Sequence, residues 1–480
     1  MRPGERAASA EAAGAAAPTL ALAEFAAGLD YGALPPAVKE QLSLLCLDYL
    51  RVASAGERME WSRWARDLAR RLGGTGGSWI LFSGDRCDPV RATFVNATYA
   101  GSTDADDTHV GAMLHPGSVV FSAAFAIGQD RRQPGAKVLA AAAAGYEAMI
   151  RIALAVQPSH FRRGFQSTAT CGVFGAAVAA AALLFEGAHR ARRIAETIGL
   201  AASFCGGLTQ FYHSGSTVKR IHAARAAAEG VHAALLAEAG FSGPLDALEG
   251  RDGFARAYAD EADFGALCAG LGSEFRLREV MVKGHACSAR VQAAIEAAAE
   301  LSRAHAIGPA EVRRLRVGIP KVIEGRLTAP EPRDLQAAQM SVPFAVAMTV
   351  ARAGRLAPGF VFQVDDFEKA LADPAVAELA RRIECTPDEE VERASTAESV
   401  GAVVTVTLAS GAEVSRFVRA PLGSASRPLT EADHLARFRH ELGRRFSERT
   451  CEALLEAVRD LAASPDVGEL ARLLARAHST

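Results

Sequence analysis

Apolar residues recur along this chain mostly at helical spacing. Leu42, Leu45, Cys46 and Tyr49 fall three or four apart, a stripe that predicts one buried helix face. It belongs to a pair of helices across Leu20–Leu50, broken at Gly32-Ala33-Leu34-Pro35-Pro36. A short extended piece over Ser78–Phe82 and a turn at Gly84-Asp85 lead to a helix over Ala92–Ala100. Helices then follow over Ser118–Ile127, Gly135–Val156, Thr170–Phe185 and Ala191–Phe204, rich in Ala and Gly, which let helix axes approach closely. Gly206-Gly207 ends that series, and a new helix starts near Val218 with Ile221, Ala224, Ala228, Val231 and Leu235 as its core stripe.

After Phe264 the texture changes. Phe275–Lys283 alternates like a strand, and Ser288 is placed to cap a helix over Ala289–His305. Val312–Pro320 reads as a strand, Gln336–Arg352 and Val364–Arg382 as helices, and Val403–Leu408 with Glu413–Arg419 as a hairpin around Ala409-Ser410-Gly411-Ala412. From Leu429 the pattern is helical again. The expected fold class is mostly α: a large all-helical domain with a smaller inserted α+β lid. The expected boundaries are a disordered leader over 1–18, a helical domain over 19–272, the lid over 273–422 and returning C-terminal helices over 423–480.

Composition narrows the function classes. Of 480 residues, 50% are hydrophobic and 22% charged, which is ordinary globular usage. The net charge of -2 and the lack of a basic stretch imply neither nucleic acid nor an anionic membrane surface. Eight scattered cysteines without a C-x-x-C pair suit a reduced, cytoplasmic protein. The longest run free of charge and histidine, Gly164–Phe185, is polar in its first third and Ala/Gly-rich in the rest, so no membrane span is predicted.

The densest chemistry lies in Asp104-Ala105-Asp106-Asp107-Thr108-His109 and in His115-Pro116-Gly117. If the preceding helix continued, Asp104 and Thr108 would share a face. Pro116 suits a helix start, whose free N–H groups attract carboxylates, with His115 at its lip. The plainer alternative is a set of helix caps in a solvated loop. A metal site is disfavoured by the lack of His-x-x-x-His or paired cysteines. Lys219 and His222 fall three apart in the first turn of their helix, where the macrodipole would lower the lysine pKa; a solvated lysine beside a packed histidine is the alternative. The loop Pro158–Ser167 carries two guanidiniums, Arg162 and Arg163, suited to carboxylate recognition or merely to solvent.

Several stretches together resemble the MmgE/PrpD family. They are Leu22-Ala23-Glu24-Phe25-Ala26 with Leu34-Pro35-Pro36; Phe94-Val95-Asn96-Ala97; the Asp104–His109 cluster with His115-Pro116-Gly117; Arg163-Gly164-Phe165 with Thr168–Gly172; Lys219-Arg220-Ile221-His222 with Ala224–Ala227; Ala338–Ala345; and Pro428-Leu429-Thr430. They keep the family's order over nearly all of the chain after Thr19. The resemblance implies a helical domain completed by the C-terminal segment, an inserted lid, a homodimer, a cleft site and no cofactor. It implies Asp104, Thr108, His115, Lys219 and Lys283 as site residues. Two departures stand out. Gln166 follows Gly-Phe where family decarboxylases and many dehydratases carry histidine, and Ser288 stands at the decarboxylase lid histidine position, with His285 nearby.

The chemistry so implied is proton transfer beside a carboxylate in a small di- or tricarboxylic acid. His115, Lys219 and Asp104 would be catalytic. Thr108, Gln166, His222, Lys283, His285 and Ser288 would bind substrate. The departures weaken cis-aconitate decarboxylation and leave the shared chemistry intact, and the preferred reading is a 2-methylcitrate dehydratase-like hydro-lyase. An iminodisuccinate-type epimerase, a cis-aconitate-type decarboxylase and a carboxylate-binding paralogue without turnover are the alternatives.

Overall fold

Small side chains set the architecture of the larger part of the molecule. The computed structural model describes residues 17–352 and 360–475, so most of the expected leader lies outside the described residues. The first helices are α1 (Pro18–Gly28), α2 (Pro36–Glu57), α3 (Glu60–Leu72), α4 (Pro89–Gly101), α5 (Pro116–Asp130) and α6 (Gly135–Val156). Then come α7 (Ser167–Leu184), α8 (Arg190–Ala202) and α9 (His222–Glu238). Helix α7 is the hub and packs against α5, α6, α8 and α9. A Cβ on Gly230 would lie 2.5 Å from both Ala176 Cβ and the Val173 carbonyl, and one on Gly175 would lie 2.7 Å from Met149 Cβ. Glycine is what allows these axes to close. Helices α6 and α7 are long and apolar enough to cross a membrane, but both lie 94% buried within the protein.

The lid region has a separate apolar core. It contains α10 (Gln292–His305), α11 (Leu335–Met340), α12 (Val342–Ala351), α13 (Val364–Leu371) and α14 (Pro374–Arg381). These pack around a four-stranded sheet ordered β4-β3-β5-β6. Its strands are β3 (Val312–Ile319), β4 (Ile383–Pro387), β5 (Ala402–Leu408) and β6 (Glu413–Val418), a small two-residue pair earlier in the chain being β1 (Ser78–Trp79) and β2 (Arg86–Cys87). Strand β4 runs parallel to β3, and β5 runs antiparallel to both β3 and β6. The chain then forms α15 (Glu431–Leu442), α16 (Glu448–Arg459) and α17 (Gly468–Ala475). Helix α15 packs on α2, and Phe438, Leu442 and Leu455 join the first core.

Five expected elements differ. Phe275–Lys283 is not a strand; it contains a short 3-10 turn over Arg276–Glu279 and a single bridge from Met281 to Thr108. Its backbone is satisfied by a buried ion pair instead: Glu147 accepts from Leu277 N at 2.9 Å, and its partner Arg151 donates to the Glu274 carbonyl at 2.7 Å. The helix expected from Ala289 begins at Gln292. Gln336–Arg352 breaks at Ser341, whose Oγ caps the helix ahead of Pro343, and Val364–Arg382 breaks before Pro374. The turn at Val218–Ile221 is 3-10, and Ile221 is 37% exposed, so it leaves the expected stripe. Strand β4, too short for a clear alternation, was not expected.

Candidate active site

The cleft between the two cores is lined by Asp104, Thr108, His115, Gln166, Tyr212, Lys219, Ser288 and Arg290, with Met113, Phe161 and Met340 as apolar neighbours. Counting the open solvent at its mouth, it takes in about 470 Å³ of empty space.

Asp104 is at its centre. Helix α4 has ended at Gly101, so the expected continuation that would align Asp104 with Thr108 does not occur. Asp104 takes φ 57°, the left-handed region that aspartate tolerates better than most residues. That turn brings its Oδ1 within 2.6 Å of Lys219 Nζ and 3.2 Å of Lys283 Nζ. Lys283 also donates to the Asp104 carbonyl at 2.6 Å and lies 3.4 Å from Asp106 Oδ1. Asp104 Oδ2 is buried without a partner. Burial pushes this carboxyl up, but Lys219, Lys283 and His115 outweigh it and hold Asp104 well below the usual range.

The two lysines diverge. Burial pulls Lys219 down, and Lys283 and Arg220 add to that against the attraction of Asp104. Burial also opposes charge on Lys283, but Asp104 and Asp106 together outweigh it and raise its pKa.

His115 is fixed by its Nδ1 side. Nδ1 lies 2.9 Å from Thr108 Oγ1 and 3.2 Å from the Asp107 carbonyl, an acceptor that places the proton on Nδ1. Nε2 then carries the free lone pair, 3.9 Å from Asp104 Oδ1. Burial, with Lys283 and Lys219, lowers the His115 pKa to about 4 although Asp106 and Asp104 pull upward, so the ring is neutral near pH 7. The His115 backbone N–H donates to Thr168 Oγ1 at 3.1 Å. Thr168 is in turn held by Gln166 Nε2 at 3.2 Å, while Gln166 Oε1 accepts from Ala169 N at 2.8 Å and caps α7.

The start of α5 does not await a ligand. Asp107 Oδ1 accepts from Gly117 N at 2.8 Å and Oδ2 from the Tyr146 hydroxyl at 2.7 Å. Burial raises Asp107 to about 8, against the downward effect of those two hydrogen bonds. The chain supplies its own carboxyl where an anionic substrate was expected.

Other expected residues are elsewhere. His222 is buried against the Phe211 ring and does not line the cleft. His285 accepts from Phe362 N at 3.0 Å through Nδ1 and packs beside Phe360, in a separate cavity. Arg163 pairs with Asp260 at the surface and Arg162 is exposed, so that loop offers the cleft no guanidinium. Arg290 does instead, from one turn before α10. Sequence reasoning also passed over Asp106, Tyr212 and Gln339. Gln339 is buried within the Ala338–Ala345 motif, donates to the carbonyls of Thr103 at 2.8 Å and Ala286 at 2.7 Å, and accepts from Arg220. Its place in that motif was the available signal.

Asp104, Asp106 and His115 present potential metal-ligand atoms within 4.8 Å of one another. Two ammonium groups already compensate these carboxylates, so the charge that a cation would balance is met by the chain itself.

Residues 20–267 match the MmgE/PrpD N-terminal domain, and residues 285–463 match the MmgE/PrpD C-terminal domain. The chain belongs to the MmgE/PrpD family. Among its relatives in that family, a cis-aconitate decarboxylase of Aspergillus terreus is 26% identical over 480 residues, covering 95% of each chain. A cis-aconitate decarboxylase of Homo sapiens is 24% identical over 461 residues, covering 93% of this chain and 92% of that one. In this MmgE/PrpD chain, Gln166 and Ser288 both line the cleft.

Proposed function

We propose that this protein is a cofactor-independent lyase of small polycarboxylic acids, and that its reaction is decarboxylation of cis-aconitate or a close analogue. The observation that carries the reading is the cleft-lining Lys219, held by Asp104 at 2.6 Å with its pKa lowered by burial, beside a neutral His115. The names of the relatives support decarboxylation over the dehydration preferred from the sequence.

In a β,γ-unsaturated acid the chemistry balances without an oxidant or metal. The bond to the departing carboxylate breaks, and its electron pair becomes the new double bond. The old double-bond pair moves to the carbon beside a remaining carboxylate, which spreads the charge as an enediolate. The Lys219 ammonium stabilises that charge and delivers the proton to carbon, carbon dioxide leaves, and the amine is reprotonated from solvent. Asp104 orients Lys219 throughout.

One observation favours a second reading. Nε2 of His115 is a free lone pair on a neutral ring, as a base for proton abstraction requires. With Lys219 protonating a departing hydroxyl, the same cleft would act as a hydro-lyase on a 2-methylcitrate-like acid.

Proton NMR in D₂O on cis-aconitate, 2-methylcitrate, citrate and iminodisuccinate separates these outcomes. New vinyl signals with deuterium in the product and release of carbon dioxide are expected from cis-aconitate. Water loss from a hydroxy acid alone would establish the second reading, and exchange without elimination would establish an epimerase. No change in any compound would overturn the lyase reading.

A further inference from the structure

The charged groups in and directly behind the cleft do not cancel. Asp104 and Asp106 carry two negative charges, and Lys219 and Lys283 carry two positive charges within 2.6 to 3.4 Å of those carboxylate oxygens. His115 is neutral, and burial raises Tyr212 to about 12, so its phenol stays protonated. Arg290 remains. Its guanidinium lines the same cleft, and no carboxylate lies within ion-pair distance of it among the described residues. Its protein contact is a long 3.4 Å bond from Nη2 to the Val110 carbonyl, and its Nε is buried with no partner. A partly buried guanidinium without a counter-charge is costly, and a planar fork of donors fits a carboxylate.

We propose that Arg290 is the receptor for a substrate carboxylate remote from the reacting carbon, with the Tyr212 hydroxyl as a neighbouring donor, and that it restricts this site to acids bearing at least two carboxylates. The inference rests on reading the cleft as a carboxylate site and deepens it. The lysine end holds a balanced set of charges that works on the reacting carbon. The arginine end holds the one unbalanced charge and selects. A monocarboxylate can satisfy one end and not both. Met113, Phe161 and Met340 supply the apolar lining around the two ends.

The test is equilibrium binding, which is independent of turnover. Tricarballylate, glutarate and butyrate, which carry three, two and one carboxylates and no double bond, are titrated by calorimetry into the full chain and into Arg290→Gln and Arg290→Lys. Wild type should bind tricarballylate and glutarate more tightly than butyrate. R290Q should weaken the first two about 10- to 100-fold, the usual scale for a hydrogen bond to a charged group, and should also weaken whatever binding butyrate shows, since its single carboxylate is drawn to the same charge. R290K should fall between, because an ammonium keeps the charge and loses the fork. Circular dichroism and melting confirm that each variant is folded. If R290Q binds tricarballylate as tightly as wild type, or if wild type does not distinguish glutarate from butyrate, the proposal is overturned. Arg290-dependent binding in a protein that turns over none of the four NMR substrates would sink the lyase reading and leave this assignment standing.

Discussion

Lys219 and Lys283 reach the same oxygen, Asp104 Oδ1, from two different regions of the molecule, and the two regions use a lysine in opposite ways. The helical side presents Lys219 on a 3-10 turn before α9, with one acceptor and its nitrogen at the cleft. The segment entering the lid presents Lys283 with three acceptors, fully buried, behind the cleft wall. Burial lowers the first lysine because one carboxylate is too little compensation. It fails to lower the second because two carboxylates exceed it. Counting acceptors, rather than measuring the shortest distance, separates the lysine whose pKa falls from the one whose pKa rises.

The strongest way to break this contrast is Lys219→Met. It should cost about 10²- to 10⁴-fold in kcat on the active substrate, the scale for losing a general acid, while Lys283 keeps Asp104 paired and the protein folded. Wild-type-like turnover would remove Lys219 from the chemistry. Lys283→Met should act first on stability. It strips two buried carboxylates of their common partner, for which about 3–5 kcal/mol is the expected loss in urea unfolding. A variant that unfolds like wild type but is inactive would mean that Lys283 belongs with Lys219.

A pH series sharpens the comparison more gently. His115, His160 and His222 on the helical side fall to about 4, and His285 in the lid to about 3, all through burial first. Each is depressed below its unfolded value near 6.5. Its stabilising contribution is therefore present above pH 6.5 and is lost as pH falls towards 4. Asp107, raised to about 8, acts in the opposite sense, since its contribution is largest at low pH and is lost as pH rises through 8. With His434 also lowered by burial and Glu147 raised beside Asp107, the depressed rings still outnumber the raised carboxyls, so the urea midpoint should drop between pH 6.5 and 4.5, and His115→Gln should flatten part of that slope. A level midpoint across the window would contradict the burial of these rings. The smallest effect belongs to Arg163→Ala. Its surface pair with Asp260 is worth little, and kcat/KM should stay within about twofold.

The order of helices, the sheet hairpin and the Asp104–His115 centre were legible because each rests on local pattern: apolar stripes, turn residues, and a density of acids that few loops carry. The directions of side chains were not. Nothing in the spacing of Asp104 and Thr108 indicates that the helix stops at Gly101 and that Asp104 turns left-handed. Period-two alternation over Phe275–Lys283 looked like a strand, but the partner for its backbone is the Glu147–Arg151 pair more than a hundred residues upstream. His222 and Arg163 were read from local sequence, and tertiary packing sent one against Phe211 and the other to solvent. Arg290 was hidden for the converse reason. A single arginine near a helix start has no local signature, and only the missing counter-charge marks it out.

Gln166 carries a consequence for how such a site can change over time. Its carboxamide begins a helix with one atom and steadies Thr168, the acceptor for the His115 N–H, with another. A substitution there is never only a change of cleft chemistry. Losing the cap alone costs about 0.5–2 kcal/mol, at the head of the helix on which the whole first core is assembled. A variant at this position that altered the cleft would therefore also need a second way to start α7, so the glutamine serves the fold as much as the site.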